Sequence, residues 1–218
     1  MASLGPIGTA DPDTPLYQVT FVVLDVETTG AAPGVAALTE IGAAVFQGGE
    51  QLGTFETLVD PGCAVPPFVS ELTGITDAMV EVAPAPGLVV PAFADFVGCA
   101  VVVGHNVSFD LAFLDAALAQ CHRPALSNPC VDTLELARRL VRDVVPDCAL
   151  STLARALHLE HRPAHRALAD ALATADLLHR LIEQATGFGV EHLGELLDLP
   201  GRLAPIPKRA EPSILAAS

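Results

Sequence analysis

The hydrophobic pattern is densest at residues 21–30, FVVLDVETTG, where two carboxylates interrupt an apolar run. The apolar residues there are mostly β-branched or aromatic, which is typical of a strand buried on both faces. Side chains alternate along a strand, so Asp25 and Glu27 point to the same side, roughly 6–7 Å apart along the chain. Because burying two unpaired carboxylates is costly, this stretch requires a compensating positive charge.

The remaining pattern predicts three adjacent strands and then strands that alternate with helices. Residues 18–28, 38–49 and 52–60 form the first three strands, and the GGE between the last two signals a hairpin turn. A Pro-rich loop containing ELTGIT (71–76) follows. We predict further strands at 100–106 and 129–133, and helices at 87–98 (with Pro91 near its start), 107–120, 134–143, 150–159 and 164–185. This order predicts an α/β sandwich with a mixed five-stranded sheet flanked by helices.

The two ends of the chain lack this periodicity. Residues 1–17 are rich in Pro, Gly, Ala and Asp and predict a disordered N-terminal tail. Residues 186–218 contain one short helical segment, EHLGELLDL, and a Pro-rich, locally basic end, so they predict a linker or tail. The folded domain is therefore expected at residues 18–185.

Composition indicates the cellular compartment of the protein. The first residues lack the basic and apolar regions of a signal peptide, and no charge-free run of 18 residues is apolar enough to span a membrane. The five cysteines are odd in number and scattered without a C-x-x-C pair. These features predict a cytoplasmic protein with reduced thiols and no membrane partner.

Charge is unevenly distributed along the chain. The net charge is −15, and the first Lys or Arg is Arg123, so residues 1–122 hold 14 acids and no base. Residues 123–218 hold 12 acids and 11 bases. This balance excludes broad, sequence-independent adhesion to nucleic acid, which needs phosphate neutralisation. It allows an enzyme that grips a short stretch of nucleic acid through metal ions.

Three further side chains complete a candidate chemical site. GHNVSFD places Asp110 in the first turn of a helix, where complementing the helix dipole is the simpler explanation. HRALAD places His165 and Asp170 early in the last long helix, roughly 140° apart on its surface. They cannot chelate one ion as an i,i+4 pair would, but they can approach one site from different angles. A solvated acid is the alternative for Asp170, and the apolar residues around it weaken that alternative.

Four carboxylates and an imidazole suit metal-assisted phosphate chemistry. Carboxylate-rich sites select Mg²⁺ or Mn²⁺, and four carboxylates suit two ions about 3.5–4 Å apart. The missing positive charge is then a pair of divalent cations, and a histidine deprotonates the attacking water. A zinc site made of His158, His161 and His165 is disfavoured, because Pro163 breaks the helical register between them and no cysteine lies near in sequence.

The motifs LDVETTG, GHNVSFD and HRALAD resemble those of the DEDDh (DnaQ-like) 3′–5′ exonucleases, with most similarity to the epsilon proofreading subunits of bacterial DNA polymerase III. The resemblance covers about residues 18–185 and implies a ribonuclease H-like fold. It implies that Asp25 bridges both ions, that Glu27 and Asp170 complete the ion holding the attacking water, and that Asp110 holds the second ion. His165 would be the general base.

The resemblance also implies a set of substrate contacts, each with a structural alternative. Thr28, Thr29 and Gly30 would offer N–H groups and hydroxyls to the terminal nucleotide, or form an ordinary turn at the strand end. Leu72 and Ile75 would wedge against the last bases, or fill the core. Phe109 would stack on a base, or fill the core. His105 and Asn106 would contact the substrate, or form structural hydrogen bonds.

The expected function is removal of nucleoside 5′-monophosphates from single-stranded or frayed DNA 3′ ends in proofreading or repair. One alternative is an RNA-trimming relative, since discrimination of the 2′-hydroxyl depends on pocket contacts. Another is a non-catalytic module that supports a polymerase. Residues 186–218 are a candidate tether to a polymerase or to a second nuclease domain, and the chain ends before a GIY-YIG nuclease domain could fit.

Overall fold

The computed structural model describes residues 11–201 and contains the predicted five-stranded sheet. Its strands are β1 (Thr20–Thr28), β2 (Leu38–Gln47), β3 (Glu50–Leu58), β4 (Val101–Gly104) and β5 (Cys130–Asp132), in the spatial order β3-β2-β1-β4-β5. The β1–β2 and β2–β3 pairs are antiparallel, and the β1–β4 and β4–β5 pairs are parallel. The predicted α/β fold with a mixed sheet is therefore confirmed.

Eight α-helices surround this sheet in the described part of the chain. They are α1 (Pro67–Thr73), α2 (Asp77–Val80), α3 (Pro86–Val97), α4 (Val107–Gln120), α5 (Thr133–Leu140), α6 (Leu150–Ala156), α7 (Ala167–Gly187) and α8 (Leu193–Asp198). Two 3₁₀ turns lie at Leu16–Gln18 and Arg142–Val144. Within residues 11–201, no helix is both long enough and apolar enough to cross a lipid bilayer.

The alternation of β1 divides the core between the two faces of the sheet. Phe21 and Val23 belong to a buried cluster with residues of α5, α6 and α7, whereas Val22, Leu24 and Val26 belong to a second cluster with α3 and α4. Since Asp25 and Glu27 follow Phe21 and Val23 at intervals of two residues, they continue the α7-facing row. The pattern of the strand therefore aims both carboxylates at α7.

Several helix predictions need correction. The segment predicted as a loop around ELTGIT forms α1 and α2, because Gly74 ends α1 in the left-handed conformation (φ 72°) and a second helix begins at Asp77. The helix predicted at 87–98 begins at Pro86, so Pro91 lies well inside it rather than near its start. The last long helix begins at Ala167 rather than 164, which leaves His165 outside it.

The two predicted tails are wrong over their described parts. Leu16 is buried, its N–H donates to the carbonyl of Glu191 at 3.0 Å, and the N–H of Leu193 donates to the carbonyl of Thr14 at 3.0 Å. Leu193 and two further leucines of the C-terminal segment are fully buried in the α7-side core. Residues 11–17 and 186–201 thus pair with each other and complete the domain. The rest of both predicted tails, 1–10 and 202–218, lies outside the described residues.

Candidate active site

The carboxylate end of β1 meets the beginning of α7 because β2 carries a glycine beside it. Gly42 is the β2 partner of Asp25 in the sheet register. A Cβ atom at Gly42 would lie 2.1 Å from the backbone nitrogen of Leu168, so only glycine lets the first turn of α7 approach the sheet this closely. This close packing brings Asp170, in that first turn, to the face that carries Asp25 and Glu27.

Glu27, His165 and Asp170 form one compact group. One ligand atom from each of the three side chains lies within 4.8 Å of the other two. His165 is exposed and precedes α7 with a left-handed backbone (φ 53°). The helical assignment of His165 was therefore wrong, and the non-helical backbone is what places the imidazole beside Asp170.

Two buried carboxylates fix the backbone around His165. Asp170 Oδ1 accepts a hydrogen bond from the Ala164 N–H at 2.7 Å. Glu40 Oε2 accepts from the Ala167 N–H at 2.8 Å, and Glu40 Oε1 accepts from Arg166 Nη2 at 2.6 Å. Sequence reasoning missed Glu40 and Arg166. The available signal was the single acid within the otherwise apolar strand LTEIGAAV.

Asp110 reaches β1 from the opposite layer of the domain. It is buried in the first turn of α4, and its Oδ1 accepts a hydrogen bond from the Val26 N–H at 3.1 Å. Asn106 precedes α4 with a left-handed backbone (φ 69°), and its N–H donates to Asp132 Oδ1 at 3.0 Å. These contacts hold Asp110 at the backbone between the two β1 carboxylates. The dipole explanation alone does not account for a buried carboxylate with this long-range contact.

The site carries negative charge that the protein does not balance. Burial, followed by the charges of Asp110, Asp170, Glu27 and Glu40, raises the pKa of Asp25 well above its ordinary value. Burial is also the main reason that the pKa values of Glu27 and Asp110 rise to about 7. Burial likewise raises the pKa of Asp170, although the Ala164 N–H opposes that rise.

This donor set fits divalent cations. Carboxylate oxygens are hard ligands that Mg²⁺ and Mn²⁺ prefer, and desolvated like charges are the groups that a cation stabilises most. In residues 11–201, the Glu27–His165–Asp170 group is the one cluster of three or more His, Cys, Asp or Glu side chains close enough to hold a metal ion. His158 and His161 do not join it, and His161 Nδ1 instead lies 3.1 Å from Asp176.

The predicted substrate residues at the end of β1 form the strand-end turn. The Thr28 hydroxyl donates to the Gly30 carbonyl at 2.6 Å. The Thr29 N–H donates to the Ala37 carbonyl, and the Ala37 N–H donates to Thr29 Oγ1, both at 2.9 Å. The predicted donation by Thr29 N–H to substrate is thus corrected, because this N–H already has a protein partner.

Among the apolar candidates for substrate contact, one lies in the core and two are at least partly exposed. Ile75 is fully buried with Val65, Val69 and Val80, so its predicted wedge role is corrected to core packing. Leu72 is 55% exposed on α1 and is available for contact. Phe109 is half-buried against Phe113, with ring centroids 5.0 Å apart.

His105 is held on both sides by protein groups. Its Nδ1 lies 3.0 Å from Thr133 Oγ1, and its Nε2 lies 2.9 Å from the Cys148 carbonyl. Both ring nitrogens are therefore used, which corrects the predicted substrate contact to structural hydrogen bonding. The neighbouring Asn106 side chain is exposed.

Comparison with known proteins shows a match to an exonuclease family and to nuclease and polymerase relatives. The exonuclease family RNase_T matches residues 22–178. A proposed bifunctional exonuclease/endonuclease of Mycobacterium tuberculosis (strain CDC 1551 / Oshkosh) is 44% identical over 199 residues, 88% of this chain and 31% of its own length. A PolC-type DNA polymerase III of Oceanobacillus iheyensis is 40% identical over 179 residues, 82% of this chain and 12% of its own length.

Two solved structures share the fold. E. coli exonuclease I in complex with a dT13 oligonucleotide has a TM-score of 0.68 at 20% identity, over 78% of this chain and 42% of its own. Exonuclease X in complex with 5′ overhanging duplex DNA has a TM-score of 0.63 at 25% identity, over 83% of this chain and 99% of its own. The chain belongs to the RNase_T exonuclease family and is a DnaQ-like 3′–5′ exonuclease domain with a ribonuclease H-like fold. It spans about a third or less of the length of the two relatives above.

Proposed function

We propose that this domain removes nucleoside 5′-monophosphates from the 3′ ends of DNA with the help of two divalent cations, Mg²⁺ or Mn²⁺. The observation that carries the proposal is the convergence of carboxylates from three separate elements with one exposed imidazole. Asp25 and Glu27 lie on β1, Asp110 lies on α4 and Asp170 lies on α7. A ring nitrogen of His165 lies within 4.8 Å of a carboxylate oxygen of Glu27 and of one of Asp170.

The four carboxylates would hold the cations, and His165 would take the proton of the attacking water. When bound, divalent cations lower the pKa of a water ligand and stabilise charge on the scissile phosphate. His165 suits the role of base because it is exposed at the rim of the group and because an imidazole can accept a proton at physiological pH. Glu40, Arg166 and Asp170 keep the imidazole in place by fixing the backbone on both sides of it.

DNA is the proposed substrate, and a single-stranded or frayed end is the proposed form. Support comes from the PolC-type relatives and from the oligonucleotide and the overhanging duplex in the two similar structures. Exposed Leu72 and Asn106 are the side chains of the predicted set that are best placed to meet a terminal nucleotide. RNA is the alternative substrate.

We further propose a proofreading or repair role in the bacterial cytoplasm, next to a polymerase or a second nuclease domain. The support is the identity of the relatives, which are polymerases and an exonuclease/endonuclease and are much longer than this chain. A tether through the residues after 201 would supply such a connection.

The test is a gel of matched DNA and RNA oligonucleotides, each labelled at the 5′ end, with Mg²⁺, Mn²⁺ or EDTA. We expect a descending ladder on DNA with either metal and no cleavage in EDTA. Asp25→Asn should abolish the ladder, whereas Asp95→Asn, an exposed acid paired with Arg123, should not. Cleavage that persists in EDTA or in Asp25→Asn would contradict the proposal, and a ladder on RNA alone would support the RNA-trimming alternative.

A further inference from the structure

A cavity of about 470 Å³ lies between α5 and the segment that precedes α6. Arg138, Arg142 and His105 line it, together with Pro146, Asp147 and Cys148. Its two arginines are four positions apart at the end of α5 and in the following 3₁₀ turn, and both are exposed. Two guanidinium groups on one cavity wall are a typical arrangement for phosphate binding.

His105 connects the cavity to the helix that carries Asp110. His105 lies directly before Asn106, which caps α4, and α4 carries Asp110 in its first turn. Burial lowers the pKa of His105, and the charge of Arg138 adds to this whereas that of Asp132 opposes it. Burial raises the pKa of Asp110, and the charge of Asp132 contributes to that rise. Asp132 therefore lies within electrostatic range of the active site on one side and of the arginine cavity on the other.

Cationic side chains are scarce in this domain, which makes these two conspicuous. No base precedes Arg123 in the sequence. Among the described residues, Arg123, Arg166 and Arg180 form ion pairs with acids outside this cavity. No carboxylate of residues 11–201 lies within ion-pair distance of Arg142, and Arg138 pairs only with the exposed Glu135.

Hydrogen bonds connect the cavity wall to β4, and the one acid of the cavity lining is used within its own segment. Because a carbonyl oxygen only accepts, His105 Nε2 donates to Cys148 and ties the segment before α6 to the end of β4. Asp147 accepts hydrogen bonds from the Ala149 N–H and the Thr152 hydroxyl, which lower its pKa. Its carboxylate is thereby used at the start of α6.

We propose that Arg138 and Arg142 form a phosphate subsite that binds the backbone of the substrate strand upstream of the nucleotide being removed. The proposal rests on the proposed action on nucleic acid. A strand whose 3′ end occupies the carboxylate site meets these guanidinium groups as it leaves across the start of α4. Arg142 is the main anchor because its guanidinium has no carboxylate partner among the described residues.

The test compares Arg138→Gln/Arg142→Gln and Arg142→Lys with the wild type on oligothymidylates of two and twenty nucleotides. In the double variant, KM for the long substrate should rise roughly tenfold at low salt, the scale of one charge-assisted hydrogen bond. KM for the dinucleotide and kcat for both should change little. Arg142→Lys keeps the charge, so its KM for the long substrate should stay close to that of the wild type. Arg180→Gln, which removes an arginine paired with Glu183, should match the wild type.

Salt dependence gives a second readout. A plot of log KM against log salt for the long substrate should lose about 1.4 from its slope in the double variant, since each single-strand phosphate contact contributes about 0.7. The proposal is overturned if the wild type degrades the long substrate and the double variant shows the same KM and slope. If the wild type degrades neither substrate with any metal, the proposed function itself fails, so the two failures are distinguishable.

Discussion

Arg166 forms a bidentate ion pair with Glu40, although the two residues are 126 positions apart in the chain. Nε lies 3.1 Å from both carboxylate oxygens and Nη2 lies 2.6 Å from Oε1. Only 1% of the Glu40 side chain is exposed, whereas 40% of the Arg166 side chain is exposed. The pair joins the start of β2 to the residue before α7, and so it positions the loop that carries His165.

This asymmetry predicts unequal effects of removing each partner. Arg166→Gln leaves Glu40 buried and charged beside the other acids, so we expect a loss of about 2–3 kcal/mol of unfolding free energy in EDTA, reduced from the fully buried case by the exposure of Arg166. Glu40→Gln leaves a half-exposed guanidinium that water can solvate, and it should cost less. The double variant should lose less unfolding free energy than the sum of the two single losses, because it leaves neither charge without its partner. Strict additivity in urea denaturation would contradict the coupling.

Sequence pattern could predict the carboxylates of β1 because their spacing and the strand period together determine their side of the sheet. It could not predict where α7 begins. Ala164, His165 and Arg166 are all compatible with a helix. The contacts that make α7 begin only at Ala167 come from Glu40 on β2 and from Asp170. Tertiary hydrogen bonds override local propensity there.

Side-chain orientation in short elements was equally hidden from the sequence. Leu72 and Ile75 are both apolar and close in sequence, yet Gly74 turns the chain between them and places only Ile75 in the core. The prediction of the two ends of the domain was wrong for a different reason. Leu16 lies in Pro-rich surroundings and Leu193 lies in the short segment EHLGELLDL. Both become part of the core only because the two segments pair across the whole chain.

Gly42 should be indispensable for the approach of α7 to the sheet. Gly42→Ala would place a Cβ 2.1 Å from the Leu168 nitrogen, a backbone atom that cannot move without moving the helix. We expect a loss of about 3 kcal/mol of unfolding free energy from overpacking, with reduced kcat because Asp170 moves with α7. Gly53→Ala is the matched control, since no atom lies within 4 Å of its added Cβ on β3. Equal urea midpoints for the two variants would refute the close-packing argument.

At position 165, stability should favour glycine, whereas activity should require the histidine. Its left-handed backbone costs an L-residue free energy, so His165→Gly should be about 0.5–1 kcal/mol more stable than His165→Ala. Both variants should lose roughly 10²–10⁴-fold in kcat if the imidazole is the general base. His158 has the same φ of 53° and is exposed, so His158→Gly and His158→Ala should repeat the stability difference with near-normal turnover. Near-normal kcat in His165→Ala would remove His165 from the mechanism.

The metal-free site should make stability depend on pH in an unusual direction. The pKa values of Glu27 and Asp110 are about 7 in the folded protein, above their ordinary values near 4 in an unfolded chain. Between these values the folded state binds more protons than the unfolded state, so unfolding free energy falls as pH rises. In EDTA, Tm should therefore be highest near pH 4–5 and decline through about pH 7. Asp110→Asn should flatten part of this decline, which separates the site from the general repulsion of an acidic chain.

Divalent cations should oppose the fall of Tm with rising pH, and substitution of Asp25 should remove most of their effect. A cation that binds the folded state needs ionised carboxylates, so the rise in Tm with saturating Mn²⁺ should be larger at pH 8 than at pH 6. Burial and four neighbouring acids raise the pKa of Asp25. In EDTA at pH 8, Asp25→Asn should consequently melt no lower than wild type, and it should lose most of the Mn²⁺-induced shift. Asp170→Ala is the instructive contrast, because alanine cannot accept the Ala164 N–H as Asp170 does, so this replacement should lower Tm in EDTA. A wild type whose Tm does not respond to Mn²⁺, or an Asp25→Asn that melts well below it in EDTA, would show that these carboxylates do not form a shared cation site.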